Sequence, residues 1–124
     1  MKKLITLFLS GGLGYCLIEV WWRGYTHWTM FILGGACFYL LYSAFYRLSH
    51  LPVAIKAIIG GGIITVAEFV TGCIVNICFK MNVWNYSDAP YNLLGQICLP
   101  YTLIWMLLSV PIALLFELVG EYVR

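Results

Sequence analysis

Four long apolar runs dominate this chain of 124 residues, at about residues 4–22, 27–46, 53–79 and 96–118. A helix needs about 20 apolar residues to cross a hydrocarbon core roughly 30 Å thick, and each run is of that order. None of them alternates apolar with polar residues, as the strands of a closed membrane barrel do. The expected fold is therefore all-α. It is a polytopic membrane protein whose residues 1–124 form a single four-helix transmembrane domain. A partly ordered outer loop, about residues 80–95, joins helices three and four.

Composition excludes the alternatives. Hydrophobic residues make up 63% and charged residues 10%, whereas a soluble domain is about 45–50% apolar and about 25% charged. A small soluble fold cannot hide that much apolar surface, and a disordered chain does not carry it. A net charge of +2 without a basic stripe also argues against nucleic acid as a partner. The partner that composition demands is the lipid bilayer.

Charge placement sets the expected topology. Lys2, Lys3, Arg47, Lys56 and Arg124 fall on one side of the four runs, and Arg23 and Lys80 on the other. The first group is expected in the cytoplasm, which puts both termini inside and the 80–95 loop outside. The bias is modest enough that dual insertion stays open. Met1-Lys2-Lys3 before an apolar run has the look of a signal peptide. However, Tyr15 is too large to precede a lipoprotein cleavage at Cys16, and Glu19 follows at once, so a retained first helix is expected. The five cysteines include no CxxC pair, and an odd number cannot pair completely within one chain. They read as small packing residues, with a Cys78–Cys98 disulfide as the alternative.

Charges inside a bilayer are costly and usually face a bundle interior. Glu19 has Arg23 four residues later, in the favourable order for a helical ion pair. It is either a local pair at the membrane surface or part of a charged vestibule. Glu68 belongs to the stripe Gly61, Thr65, Glu68, Gly72, Asn76, whose spacing keeps one helical face. That face meets another helix or a cavity, because small residues allow close approach and polar ones bond across it. Glu68 is then either part of a packing seam or a proton- or cation-binding carboxylate. Lys56 is expected to snorkel to the headgroups. Gly60-Gly61-Gly62 favours either close packing or a bend; packing comes first, with Gly34-Gly35 as its expected partner. Pro111 should kink or break helix four.

The loop holds Trp84, Asn85, Tyr86, Ser87, Asp88 and Asn92. One reading is an interfacial aromatic belt joined to a turn. The other is a re-entrant cap over the bundle mouth, hydrogen-bonded to Glu19, Arg23 or Glu68, with Asp88 as a third acidic group. Asn85-Tyr86-Ser87 formally matches a glycosylation acceptor. The candidate substrate- or ion-binding residues are thus Glu19, Arg23, Glu68, Asn76, Trp84, Asn85, Tyr86, Ser87, Asp88 and Asn92.

Glu68-Phe69-Val70-Thr71-Gly72, followed by Trp84-Asn85-Tyr86-Ser87, Pro90, Asn92, Gly95, Ile97-Cys98 and Trp105, resembles the ABC-transporter type IV family, also called CmpB-like membrane proteins. In the first helix Gly14-Tyr15, Glu19 and Arg23-Gly24 are similar too. Asn85 stands where that family usually has aspartate. A proline-rich stretch after the first helix is missing, as in a shorter branch. The resemblance implies a bacterial multi-pass protein of the cytoplasmic membrane. It supplies no catalytic residues.

The chain has no GxxxxGK[ST] loop, so ATP hydrolysis by a P-loop would require a separate ATPase as partner. Three functions are weighed. The first is a small transporter or channel for a small molecule or ion, working as a dimer or higher homo-oligomer, because four helices rarely enclose a pathway alone. The second is a membrane-embedded binding or accessory protein for a lipid, small molecule or partner protein. The third is a membrane enzyme, which is disfavoured because no nucleophile–base spacing or metal pair emerges. His27 and His50 are expected on opposite membrane sides. No catalytic residue, metal or cofactor is expected.

Overall fold

Each apolar run forms a helix. The computed structural model describes residues 2–119, with side chains from residue 4 to residue 118. Helix α1 is Lys2–Arg23, α2 is Trp28–Arg47, α3 is Val53–Gly72 and α4 is Leu99–Val119. All four are long and apolar enough to cross a membrane, so the chain is a multi-pass membrane protein. The side chains of Lys2 and Lys3, and Arg124, on which part of the charge asymmetry rests, lie outside the described residues.

The helix boundaries have local causes. Gly24, at φ 85°, ends α1 in a conformation that costs glycine little, and its N–H donates to the Val20 carbonyl at 2.8 Å. His27 opens α2: its carbonyl accepts from the Met30 N–H at 2.9 Å, and its ring nitrogen contacts the Thr29 hydroxyl at 2.8 Å. Pro52, in an extended conformation, sits ahead of α3, and its carbonyl accepts from the N–H groups of Ile55 and Lys56.

Helix α3 does not end at Gly72. It widens into a π-helical turn, Cys73–Cys78, in which the Phe79 N–H reaches back to the Ile74 carbonyl at 3.0 Å. The fourth apolar run departs from expectation at its start. Residues 96–98 do not begin the helix, because a two-stranded hairpin precedes it. Strand β1 (Asn92–Leu93) pairs antiparallel with β2 (Ile97–Cys98), matching Asn92 with Cys98 and Leu93 with Ile97. Helix α4 then starts at Leu99, with Pro100 in the first turn, where a missing N–H costs little. It runs through Pro111 without a break, leaving the Leu107 carbonyl without its α-helical donor.

The chain divides into two compact units, at Leu41 and Tyr42. In the first, glycines let α1 and α2 touch. A Cβ on Gly34 would lie 2.5 Å from the Cβ of Tyr15, and one on Gly35 would lie 2.6 Å from the Phe8 carbonyl oxygen. Phe8 and Phe31 meet edge to face at 6.1 Å. In the second unit α3 lies against α4. Gly60 faces Ser109 and the Phe45 ring, and Gly61 faces Met106. Tyr42 and Phe45, from the last turns of α2, pack on Phe116. The expectation that Gly34-Gly35 would serve Gly60-Gly61-Gly62 is therefore replaced: each glycine pair has its own partner helix. None of Cys16, Cys37, Cys73, Cys78 and Cys98 is in a disulfide, which removes the disulfide alternative.

Candidate functional site

The small and polar stripe of α3 faces α4 and the loop along its length. Gly61 meets Met106. The hydroxyls of Thr65 and Thr102 are 3.0 Å apart. At Gly72 a Cβ would lie 2.5 Å from the Gln96 side-chain oxygen and 3.0 Å from the Trp84 ring, so only glycine admits the loop there. Asn76, in the π turn, donates to Gln96 Oε1 at 2.7 Å and accepts from the Val83 N–H at 2.6 Å.

Glu68 lies in the middle of this face and is 2% exposed. Its Oε2 accepts from the Tyr86 hydroxyl at 3.0 Å, and its Oε1 accepts from the Trp105 indole N–H at 3.3 Å. Both carboxylate oxygens therefore have neutral donors, which offset part of the cost of burying the group. Tyr86 stacks on Tyr101, with centroids 4.9 Å apart and planes 15° apart. Tyr101 is tilted against Trp105 at 6.1 Å. Two aromatic side chains, Tyr86 and Trp105, thus bond one buried carboxylate, and the Tyr101 ring neighbours both of them. Burial pushes the Tyr86 phenol well above its ordinary range, and the nearby Glu68 charge and hydrogen bond push it the same way.

The loop that delivers Tyr86 is tied down by its own polar residues. Trp84, 5% exposed, donates its indole N–H to the Gln96 carbonyl at 3.0 Å. The Tyr86 N–H donates to the Gly95 carbonyl at 2.7 Å. Asn85 Oδ1 accepts from the Ser87 N–H at 2.9 Å and from the Ser87 hydroxyl. Asn92 donates to the carbonyls of Ser87 and Ala89 and accepts from the Gly95 N–H at 3.1 Å. Asn85, Ser87 and Asn92 hence shape the loop, Trp84 anchors it, and Asp88 is exposed.

Glu19 and Arg23 belong to the first unit. They form an ion pair at 2.6 Å, and the guanidinium lies 4.6 Å from the Tyr25 ring centroid. Lys56 does not snorkel. It is 1% exposed, and its ammonium pairs with Glu117 Oε2 at 3.2 Å.

Several residues at these sites were missed in the sequence. Gln96 was absorbed into the fourth apolar run, although a polar residue at the edge of such a run is a boundary signal. Tyr101 and Thr102 sit inside that run and carry no signal of their own. Glu117 is the one charge in α4, and its match with the one charge in the first turn of α3 was available from sequence.

The family described as Putative ABC-transporter type IV matches residues 5–123 of the chain. No curated protein matches it, and no solved structure does.

Proposed function

The chain belongs to the family described as Putative ABC-transporter type IV, and from that membership we propose that it is a small transporter or channel for an ion or small molecule. In this reading residues 1–124 act as one transmembrane domain in the bacterial cytoplasmic membrane, with both termini inside. They work as a homo-oligomer, alone or with a partner membrane protein or separate ATPase.

The observation that carries the reading is Glu68. A carboxylate buried within a transmembrane helix is costly and marks ion or substrate pathways. Here it is held by side chains from two different segments, Tyr86 of the loop and Trp105 of α4. A carboxylate whose donor sits on a loop can exchange that donor for a cation or a proton. The Glu19–Arg23 pair is a second polar element in the same proposal, assigned to the first unit.

The test is flux into proteoliposomes, read with an internal pH dye under a potassium–valinomycin potential. Wild type is expected to conduct, and Glu68→Gln to abolish the signal. Equal flux in both would remove Glu68 from the mechanism. A membrane-embedded binding or accessory role is the second reading, favoured by the fact that both oxygens of Glu68 are already engaged. Copurification of a stoichiometric partner protein, with no flux, would select it.

A further inference from the structure

Tyr86 presents to the α3–α4 pair two features at once, a flat ring and a hydrogen-bond donor. The ring lies on Tyr101 at 4.9 Å and 15°, and the hydroxyl donates to Glu68 Oε2 at 3.0 Å. Tyr86 is only half-buried, whereas Glu68 beneath it is 2% exposed. The backbone on either side of the ring is fixed independently of it. The Tyr86 N–H bonds to the Gly95 carbonyl, Trp84 bonds to the Gln96 carbonyl, and Asn76 holds Val83 and Gln96. Rotation of the side chain about its own bonds therefore does not require the loop to move.

That departure uncovers a specific surface. It takes the Tyr86 donor away from Glu68 Oε2 and uncovers one face of Tyr101, beside Trp105, whose indole N–H stays on Oε1. A carboxylate beside an exposed aromatic face is a recognition surface for cations. The oxygen takes a charge-assisted hydrogen bond, roughly twice as strong as a neutral one. The ring adds cation–π attraction, which grows when the site is desolvated. Flatness is set by the geometry that Tyr86 itself satisfies.

We propose that Glu68, Tyr101 and Trp105 form a binding site for a flat organic cation bearing an N–H donor, and that Tyr86 is a built-in competitor occupying that site in the resting state. The inference rests on the transport reading of Glu68 and names its substrate class. Tyr86 then acts as a selectivity filter. A ligand must replace both the stacking and the hydrogen bond, which a flat cation with an N–H does and a bare metal ion does not. The apparent affinity is lowered by the fraction of time Tyr86 is seated.

The experiment is equilibrium binding of ethidium, a flat aromatic cation with amine donors, to the full chain in non-ionic detergent, read by fluorescence. Tyr86→Ala is expected to tighten binding on the order of tenfold by removing the competitor. Tyr86→Phe, which keeps the ring and drops the hydroxyl, is expected to fall between Tyr86→Ala and wild type, and serves if Tyr86→Ala fails to fold. Glu68→Gln is expected to abolish binding, and Tyr101→Leu to weaken it roughly tenfold. Tyr91→Ala, at an exposed aromatic of the same loop, is expected to change nothing. Unchanged or weaker binding in both Tyr86 variants overturns the proposal, as does binding that survives Glu68→Gln, or no binding in any variant. Because binding is read without flux, the two readings fail separately. Glu68-dependent flux without ethidium binding removes the substrate class and leaves the transporter. Ethidium binding without flux removes the transporter and leaves the site.

Discussion

Lys56 and Glu117 are each placed against the dipole of their own helix, and they meet at 3.2 Å. Lys56 sits in the first turn of α3 and Glu117 in the last turn of α4. A cation at a helix N-terminus and an anion at a C-terminus are each unfavourable, by about 0.3–1 kcal/mol. Antiparallel packing of α3 on α4 brings the two together, so each supplies the countercharge that the other's helix end lacks.

Removing one partner should therefore cost more than removing both. Glu117→Gln leaves the ammonium of Lys56, 1% exposed, without its carboxylate. Breaking a buried pair costs about 3–5 kcal/mol. The partial exposure of Glu117, 37%, brings the expected loss nearer to about 2 kcal/mol. The double variant Lys56→Met/Glu117→Leu should recover most of it. Thermal unfolding in detergent gives the comparison, and equal losses in the single and double variants would count against the pairing.

The glycines of α3 separate packing from propensity. Gly60 has the Ser109 side chain in the space a Cβ needs, while Gly62 has nothing within 4 Å. Gly60→Ala should destabilise the chain by about 1–3 kcal/mol through overpacking. Gly62→Ala should be neutral or stabilising by up to about 1 kcal/mol, because alanine loses less backbone freedom than glycine. Unfolding midpoints of the two variants should move in opposite directions, or only the first should move.

Alkaline titration reports the environment of Tyr86. Its phenol is held above the ordinary value near 10 by burial first and by Glu68 second. The folded state therefore keeps a proton that the unfolded state releases above about pH 10. The associated stability is complete below that pH and falls as pH rises above it. Tyrosinate absorbance of wild type minus that of Tyr86→Phe should show no ionisation step near pH 10. The alkaline fall in unfolding midpoint should be shallower in Tyr86→Phe.

Asn76 bridges the π turn and the loop, so its loss should be felt in the loop. Asn76→Leu removes the acceptor for the Val83 N–H and the donor to Gln96, a cost of about 1–3 kcal/mol for buried groups left unmet. Amide exchange across residues 82–98 should quicken in this variant while that of α1 is unchanged. Exchange that rises evenly along the whole chain would instead indicate general destabilisation.

The helices were legible because bilayer thickness imposes length and apolarity at once. The α3 stripe was legible as well: Gly61, Thr65, Glu68, Gly72 and Asn76 keep one face by spacing alone, and each meets α4 or the loop. What α3 turned toward was not legible. The partners Trp105, Thr102 and Gln96 lie in a run whose aromatic and small polar residues look alike, and no spacing rule pairs one helix with another. The hairpin was hidden because Leu93 and Leu94 fall in the stretch read as loop, while Ile97 and Cys98 read as the start of an apolar helix. The turn uses Leu94 at φ 55° as well as Gly95 at φ 73°. Leucine in that region costs roughly 1–2 kcal/mol, so only the surrounding structure can select it. Lys56 was misread for a related reason: snorkelling is the default for a lone lysine near a helix end, and its partner lies 61 positions away.

The π turn at Cys73–Cys78 also bears on which changes in chain length this protein tolerates. A π turn holds more residues than an α turn, so the Cys73–Cys78 segment amounts to one extra residue wound into the end of this helix. Deleting one residue there, other than Asn76, lets the segment relax to α geometry with the start of the loop nearly in place. The same deletion between Val53 and Gly72 rotates everything after it by about 100°, carrying Asn76 away from Gln96. Shortening by one residue should therefore be survivable at one end of this helix and ruinous along the rest.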